Sequence, residues 1–500
     1  MTAARRPVVA IVGGGVAGLA AAWELVGGPD APTGDDRPVV HVLEAGDRVG
    51  GRVRSTGFAG RTVDLAADGF LARRPEAVEL CGEIGASDEL VPVGATGAAI
   101  LARGRLRPMP DGLALGVPTR WLPLARSGIL GPAELLRVAA DVVVPRLGTG
   151  KVTGDRAVGD IVGERLGRPV VERLVDPLIG GIHAGGVDDL SAAATFPLLI
   201  AASHQPGSLM HCLGRAQGAP AAPPPAGGVP TPAFYSLRHS TASLVDRLVE
   251  ALVRSGVTIH TGTPVGAITR THDPGTWRVT LDGPIAPVAG GALDVDGIVL
   301  AVPAPQAAAL LGVHAPAAAG ILGTIEYASV SVVTVTVTDR AVGRRLEGTG
   351  FLVPRTTVID GRPALITGCT YLSRKWPHLA RRGEELIRMS VGRFGDDRHA
   401  ELDDGELTAA AFVELARVLD IAGAPGSAHV HRWDRALPQY RVGHLVRVAA
   451  IEQEVAELPG LELAGAAYRG VGIPACVGSG RAAGRSVLRS LVDPGHRPAG

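Results

Sequence analysis

Lysine is nearly missing from this chain of 500 residues. It stands only at Lys151 and Lys375, leaving arginine to supply the other 47 of the 49 basic residues. With 69 glycines and 38 prolines, that bias reads as the mark of a GC-rich genome rather than of a function. A charge excess is missing too: 49 acidic residues balance 49 basic ones, which argues against nucleic acid as the main partner. Cysteine occurs four times, at Cys81, Cys212, Cys369 and Cys476, far apart and with no metal-ligand spacing. No metal site is expected, and a reducing, cytoplasmic compartment is. No run of about 18 apolar residues exists, so no membrane-spanning helix is expected. The mean hydropathy of +0.23 permits contact with a membrane surface without requiring it. The length points to two or three domains.

The first segment, "ARRPVVAIVGGGVAGLAAA", imitates a twin-arginine export signal. The apolar run is broken by Gly13, Gly14 and Gly15, continues into Trp23, Glu24 and Leu25, and lacks an A-x-A cleavage site. It reads instead as a strand and helix of a folded domain. Residues 8–12 are wholly apolar, as in a parallel strand covered on both faces. A glycine turn, a helix over 16–26 and a second buried strand at "VVHVLEA" complete a βαβ unit. Residues 75–210 are mostly helical in pattern. The proline-rich stretch 215–232 is low-complexity and expected to be a flexible loop. Strands are expected at "VTIHTG", "GAITRTH", "WRVTL", "GIVLAVPAP", "YASVSVVTVTVTD", "GFLVP", "ALITGCTYL", "AHVHRW" and "LELAG", with helices ending at Gly256 and over 407–419.

The chemistry begins at Gly13-x-Gly15-x-x-Gly18, between a buried strand and a helix. The first glycine permits the turn, the second lets backbone approach a pyrophosphate, and the third lets helix and strand pack closely. A pyrophosphate there would rest on the N–H groups opening the helix, at residues including Gly14, Val16 and Ala17. Glu44, at the end of the second strand, is placed for ribose hydroxyls; the insertion 29–38 explains its long spacing from the glycines. Strand, turn, helix, strand and acid together specify a dinucleotide site. "EAGDRVGGRVRS" comes directly after, with Arg48 and Arg52 flanking Gly50 and Gly51. Arginine forks suit phosphate, and an NAD site has no need of this second element.

That combined pattern resembles the FAD fingerprint of flavin amine oxidases, phytoene desaturases and protoporphyrinogen-type oxidases. "LVDPLIGGIHAGGVDDLSAAATFPLL", "EGTGFLVPR", "CTYLSRKWPH", "RWDRALPQYRVGH", "GAAYRGVGIPACVGSGRAA" and "RGRLRPMPDGLALGVPT" narrow it. They are similar to the haem-biosynthesis oxidases, most of all to the soluble Gram-positive type acting on coproporphyrinogen III, over essentially the whole chain. The resemblance implies an α/β architecture: a discontinuous, doubly wound FAD domain (1–75, 236–306 and 445–500), an inserted helical domain (76–235) and a β-rich substrate domain (307–444). It implies FAD as cofactor, held by Gly13 to Gly18 and by Glu44 and Ala45, with Arg52 near phosphate. Ala66, Ala67, Asp68 and Gly69 would run along the flavin, Val265 would meet adenine through its backbone, and Trp433 with Val471, Gly472 and Ile473 would lie by the isoalloxazine. The implied reaction takes six electrons from a porphyrinogen and reduces three O₂ to three H₂O₂; downstream haem-pathway enzymes are the implied partners. His239, Ser240 and Thr241 depart from the family's glycine step and leave the geometry there open.

No Ser-His-Asp or Cys-His set is visible, and the implied chemistry needs none. Cys476 reads as a small buried residue, not a nucleophile. Arg103, Arg105 and Arg107 are candidates for substrate propionates, against the plainer reading of solvated surface charge. His183 either faces the tetrapyrrole or is simply packed. The alternatives are protoporphyrinogen IX oxidation, flavin amine oxidation and a non-catalytic FAD scaffold. Two lysines and five tyrosines offer little for an amine oxidase's lysine and aromatic cage.

Overall fold

Five short strands build the parallel sheet at the heart of the computed structural model, which describes residues 5–143, 154–217, 232–273, 275–282 and 291–492. They are β1 (Val8–Val12), β2 (Val39–Leu43), β3 (Thr258–His260), β4 (Gly297–Leu300) and β5 (Leu461–Leu463), in the order β3-β2-β1-β4-β5. All four pairings are parallel. The direction of winding reverses between β1 and β4, which opens a crevice beyond the carboxyl ends of the strands. Burial on both faces explains the unbroken apolar sequence: Val9, Ala10, Ile11, Val42 and Val299 are fully buried.

Helix α1 (Val16–Val26) is buried along its whole length, and α2 (Ile473–Val492) runs parallel to it. Small residues set their close approach. A Cβ on Gly480 would collide with the Ala17 carbonyl, and one on Gly484 would sit 2.8 Å from the Ala21 oxygen. The fully buried Glu24 carboxylate is held by Arg481 at 2.8 Å and Arg485 at 3.0 Å. Gly480 is level with Ala17, so α2 projects about 9 Å past the start of α1 at the crevice end.

A seven-stranded sheet forms the second layer. Its order is Ser427–Pro438, Tyr327–Thr338, Glu384–Val391, Ile366–Tyr371, Gly350–Leu352, Ala99–Ala102 and Arg105–Pro108. Val333, Val335, Ile387 and Met389 pack beneath the helix Asp404–Leu419, whose first turn is closed by a reciprocal Asp403–Glu406 capping box. Two of these strands come from the stretch expected to be helical: Ala99–Ala102 pairs parallel with Gly350–Leu352. The strand Glu384–Val391 was not expected, because Arg388 interrupts its apolar run.

Helices between 121 and 217 share a separate core around Val170, Leu174, Phe196 and Leu209. Within them Val171–Gly180 winds as a π-helix; Pro177 cannot supply the N–H of an α-turn. The flexible loop expected at 215–232 lies almost wholly outside the described residues. Among the described residues no helix is long and apolar enough to cross a membrane, and no group of acidic, histidine or cysteine side chains could hold a metal.

Candidate active site

The crevice is built from the turns at the carboxyl ends of the parallel strands. After β1, Gly13 takes φ +104° and donates to the Leu43 carbonyl at 2.8 Å; a Cβ would lie 2.5 Å from the Ala301 oxygen. Gly18 abuts the Gly13 carbonyl so closely that any side chain would clash. Gly15 differs: a Cβ there would meet nothing within 4 Å. It caps α1, whose first turn, including Val16 and Ala17, has neither a capping side chain nor an acidic residue. The opening N–H groups therefore have no capping side chain, and the positive end of the helix dipole lies behind them.

After β2, the Glu44 carboxylate accepts from Gly14 N–H and Gly46 N–H, each at 2.8 Å. That fixes the carboxylate while leaving lone pairs for hydroxyl donors. Ala45, beside it, is exposed. Gly50 donates to the Gly14 carbonyl at 2.7 Å, so the two glycine elements lie side by side. Arg48 is spent on the carbonyls of Val49 and Val53. Arg52 donates to the Arg435 carbonyl at 3.1 Å but has no carboxylate partner among the described residues, and burial lowers its pKa. After β3, Thr263 N–H donates to the Glu44 carbonyl at 2.8 Å, which brings Val265 beside the acid. An open cradle, helix N–H groups without a capping side chain, an oriented carboxylate and a guanidinium without a carboxylate partner fit an extended dinucleotide with a diphosphate at its middle.

Further along, Trp433 Nε1 donates to the Leu65 carbonyl at 2.8 Å, joining the edge strand of the seven-stranded sheet to the segment Ala66, Ala67, Asp68, Gly69. After β5, residues 471–473 lead into α2. Gly470 N–H donates to the Tyr440 hydroxyl at 2.8 Å, and that hydroxyl donates to the Ala466 carbonyl at 2.6 Å. Cys476 is buried within this turn, and burial pushes its thiol up to about 11 despite nearby Arg52. It stays protonated at neutral pH, which suits a packing residue.

Sequence reasoning missed a buried polar cluster under residues 64–69. Burial alone would raise the Asp68 pKa. Lys375 (3.0 Å), Arg388 (3.3 Å) and the Trp376 indole N–H (2.9 Å) outweigh it and hold Asp68 ionised well below the usual range. Arg388 also donates to the Ala66 carbonyl at 2.9 Å. Asp64 behaves oppositely: burial lifts it to about 7, against the lowering effect of the Thr241 hydroxyl. The Thr241 oxygen lies 2.7 Å from Asp64 Oδ1 and 2.8 Å from the Ala67 carbonyl. One hydroxyl proton cannot serve two acceptors, whereas a protonated Asp64 donating to Thr241, with Thr241 donating to Ala67, satisfies both. Thr241 thus supplies a polar tie that holds the Ala66 segment. One signal was present: a lone arginine inside "ELIRMSV".

His183 is buried with Nδ1 unpartnered, its ring 5.6 Å from Tyr440, and burial lowers it to about 4. It is neutral and packed. Arg103 and Arg105 line a separate cavity that contains none of the residues above.

A family model described as flavin containing amine oxidoreductase matches residues 16–488. The coproporphyrinogen III oxidase of Bacillus subtilis is 31% identical over 490 residues, covering 97% of this chain and 98% of the relative. That of Mycobacterium leprae is 34% identical over 481 residues, covering 95% and 96%. A solved structure from Exiguobacterium sp. 255-15, assigned provisionally as a protoporphyrinogen oxidase, superposes with a TM-score of 0.81 at 32% identity, covering 97% of this chain and 99% of that one.

Proposed function

Since this chain belongs to the flavin-containing amine oxidoreductase family, we propose that it oxidises coproporphyrinogen III to coproporphyrin III with FAD and O₂. The end-to-end similarity to coproporphyrinogen III oxidases carries the reading. The second reading is protoporphyrinogen IX oxidation, favoured by the Exiguobacterium relative. The substrates differ by two propionates against two vinyls. The reaction removes six electrons and six protons from the macrocycle and turns three O₂ into three H₂O₂.

Bound FAD supplies the two-electron acceptor and its reoxidation by O₂. The chain supplies placement. Gly13, Gly14, Gly15, Val16, Ala17 and Gly18 seat the diphosphate on α1, with Arg52 opposite. Glu44 and Ala45 take the ribose, and Val265 borders the adenine. Ala66, Ala67, Asp68 and Gly69 form a rail fixed by Arg388, Thr241 and the Trp433 strand. Residues 471–473, at the positive end of α2, would lie by the ring and would stabilise negative charge on it. No described side chain is assigned as acid or base.

The test is direct. Purified protein in air with coproporphyrinogen III yields red porphyrin fluorescence and three peroxides per porphyrin. A yellow protein that yields neither is a scaffold, and the proposal fails.

A further inference from the structure

The seven-stranded sheet ends, at the edge opposite Trp433, in a hairpin whose tip is Arg103 and Gly104. Six strand spacings separate the two edges, roughly 29 Å. Beside this tip opens a cavity of about 430 Å³, shared with loop 354–360, the π-helix and the end of helix Asp404–Leu419. That volume lies in the range of small-molecule sites. Arg103, Arg105, Arg173, Arg344 and Arg417 line it. Their carboxylate partners are few. Arg417 pairs with Asp360 at 3.0 Å and Arg173 with Glu134 at 2.6 Å. Arg103, Arg105 and Arg344 have no carboxylate within ion-pair distance among the described residues. Five guanidinium groups against two carboxylates, in a concavity with apolar walls at Leu101, Leu106 and Ile359, focus a positive potential.

Arg103 is also held at a conformational cost. It takes φ +54°, with Gly104 at +71°, in the two-residue turn of the hairpin. Such turns favour asparagine, aspartate or glycine; arginine gains nothing there from the backbone. Its side chain faces the cavity all the same.

We propose that this cavity binds a small polyanion, a compact molecule carrying two or more carboxylate or phosphate groups, at a site separate from the flavin crevice. Guanidinium forks from four separate segments match planar or tetrahedral oxyanions two N–H groups at a time. The inference stands independently of which porphyrinogen is oxidised.

The test uses FAD-loaded enzyme, so that the diphosphate cradle is filled. Citrate and inorganic pyrophosphate are titrated by calorimetry at constant ionic strength, with Arg344→Ala and Arg103→Gly beside the parent. One saturable site is expected for at least one probe, with citrate reporting a carboxylate ligand and pyrophosphate a phosphate one. Each substitution should raise Kd at least tenfold while oxidase turnover stays unchanged. Arg103→Gly should melt no lower than the parent, because glycine relieves the left-handed turn, so lost binding cannot be lost folding. No saturable binding of either probe, or binding that survives both substitutions, overturns the proposal.

Discussion

At the scale of single residues, the second and third glycines of the motif do different work and should fail differently. Gly15→Val puts its side chain into open space. The protein should fold with a melting temperature near the parent's yet retain less than about a tenth of its FAD, read as absorbance near 450 nm; a yellow variant contradicts the cradle. Gly18→Val drives a side chain into the Gly13 carbonyl, so overpacking should cost at least about 1–3 kcal/mol, measured by denaturation. Cys476→Ala should keep most of the turnover, since the thiol is protonated at neutral pH. Asp64 carries a pH signature. Its folded pKa, about 7, lies above its ordinary value. As pH rises from 4 to 7 the unfolded chain loses this proton first, so stability falls across that window. Asp64→Asn should flatten that fall in melting temperature; an unchanged slope contradicts a protonated Asp64. Asp68 acts in the opposite sense, its stabilisation lost only on acidification, and the substitution leaves it in place.

At the scale of elements, the crossing of α1 and α2 carries the site. Glu24 lies fully buried between Arg481 and Arg485. Glu24→Ala leaves Arg481 with Glu83 alone and the partly exposed Arg485 without this carboxylate, and should cost about 1–3 kcal/mol in chemical denaturation. FAD affinity should fall with it, because residues 471–473 lead into the same helix. Val8–Val12, Val39–Leu43 and Gly297–Leu300 were legible because burial on both faces writes a largely apolar run. Tyr327–Thr338 was legible through its β-branched alternation. Glu384–Val391 was not: it reads as strand only once Asp68 is known to need Arg388. The hairpin Ala99–Pro108 escaped for another reason. Its turn uses arginine where glycine or asparagine would have announced it.

At the scale of the whole molecule, the two jaws of the crevice were legible in sequence motifs, but the floor between them was not. Gly13 to Gly18 and residues 471–473 stand in recognisable patterns about 450 residues apart. Asp64, Asp68, Thr241, Lys375 and Arg388 come from four separate stretches, and only the fold brings them together under one segment. The family membership rests on features spread over nearly the full chain. The choice of substrate is the claim that most needs measurement. Initial rates of porphyrin formation with coproporphyrinogen III and protoporphyrinogen IX, measured side by side on one FAD-loaded preparation, test it most directly. The account predicts a higher kcat/KM for coproporphyrinogen III. A higher value for protoporphyrinogen IX, or none for either, would contradict it.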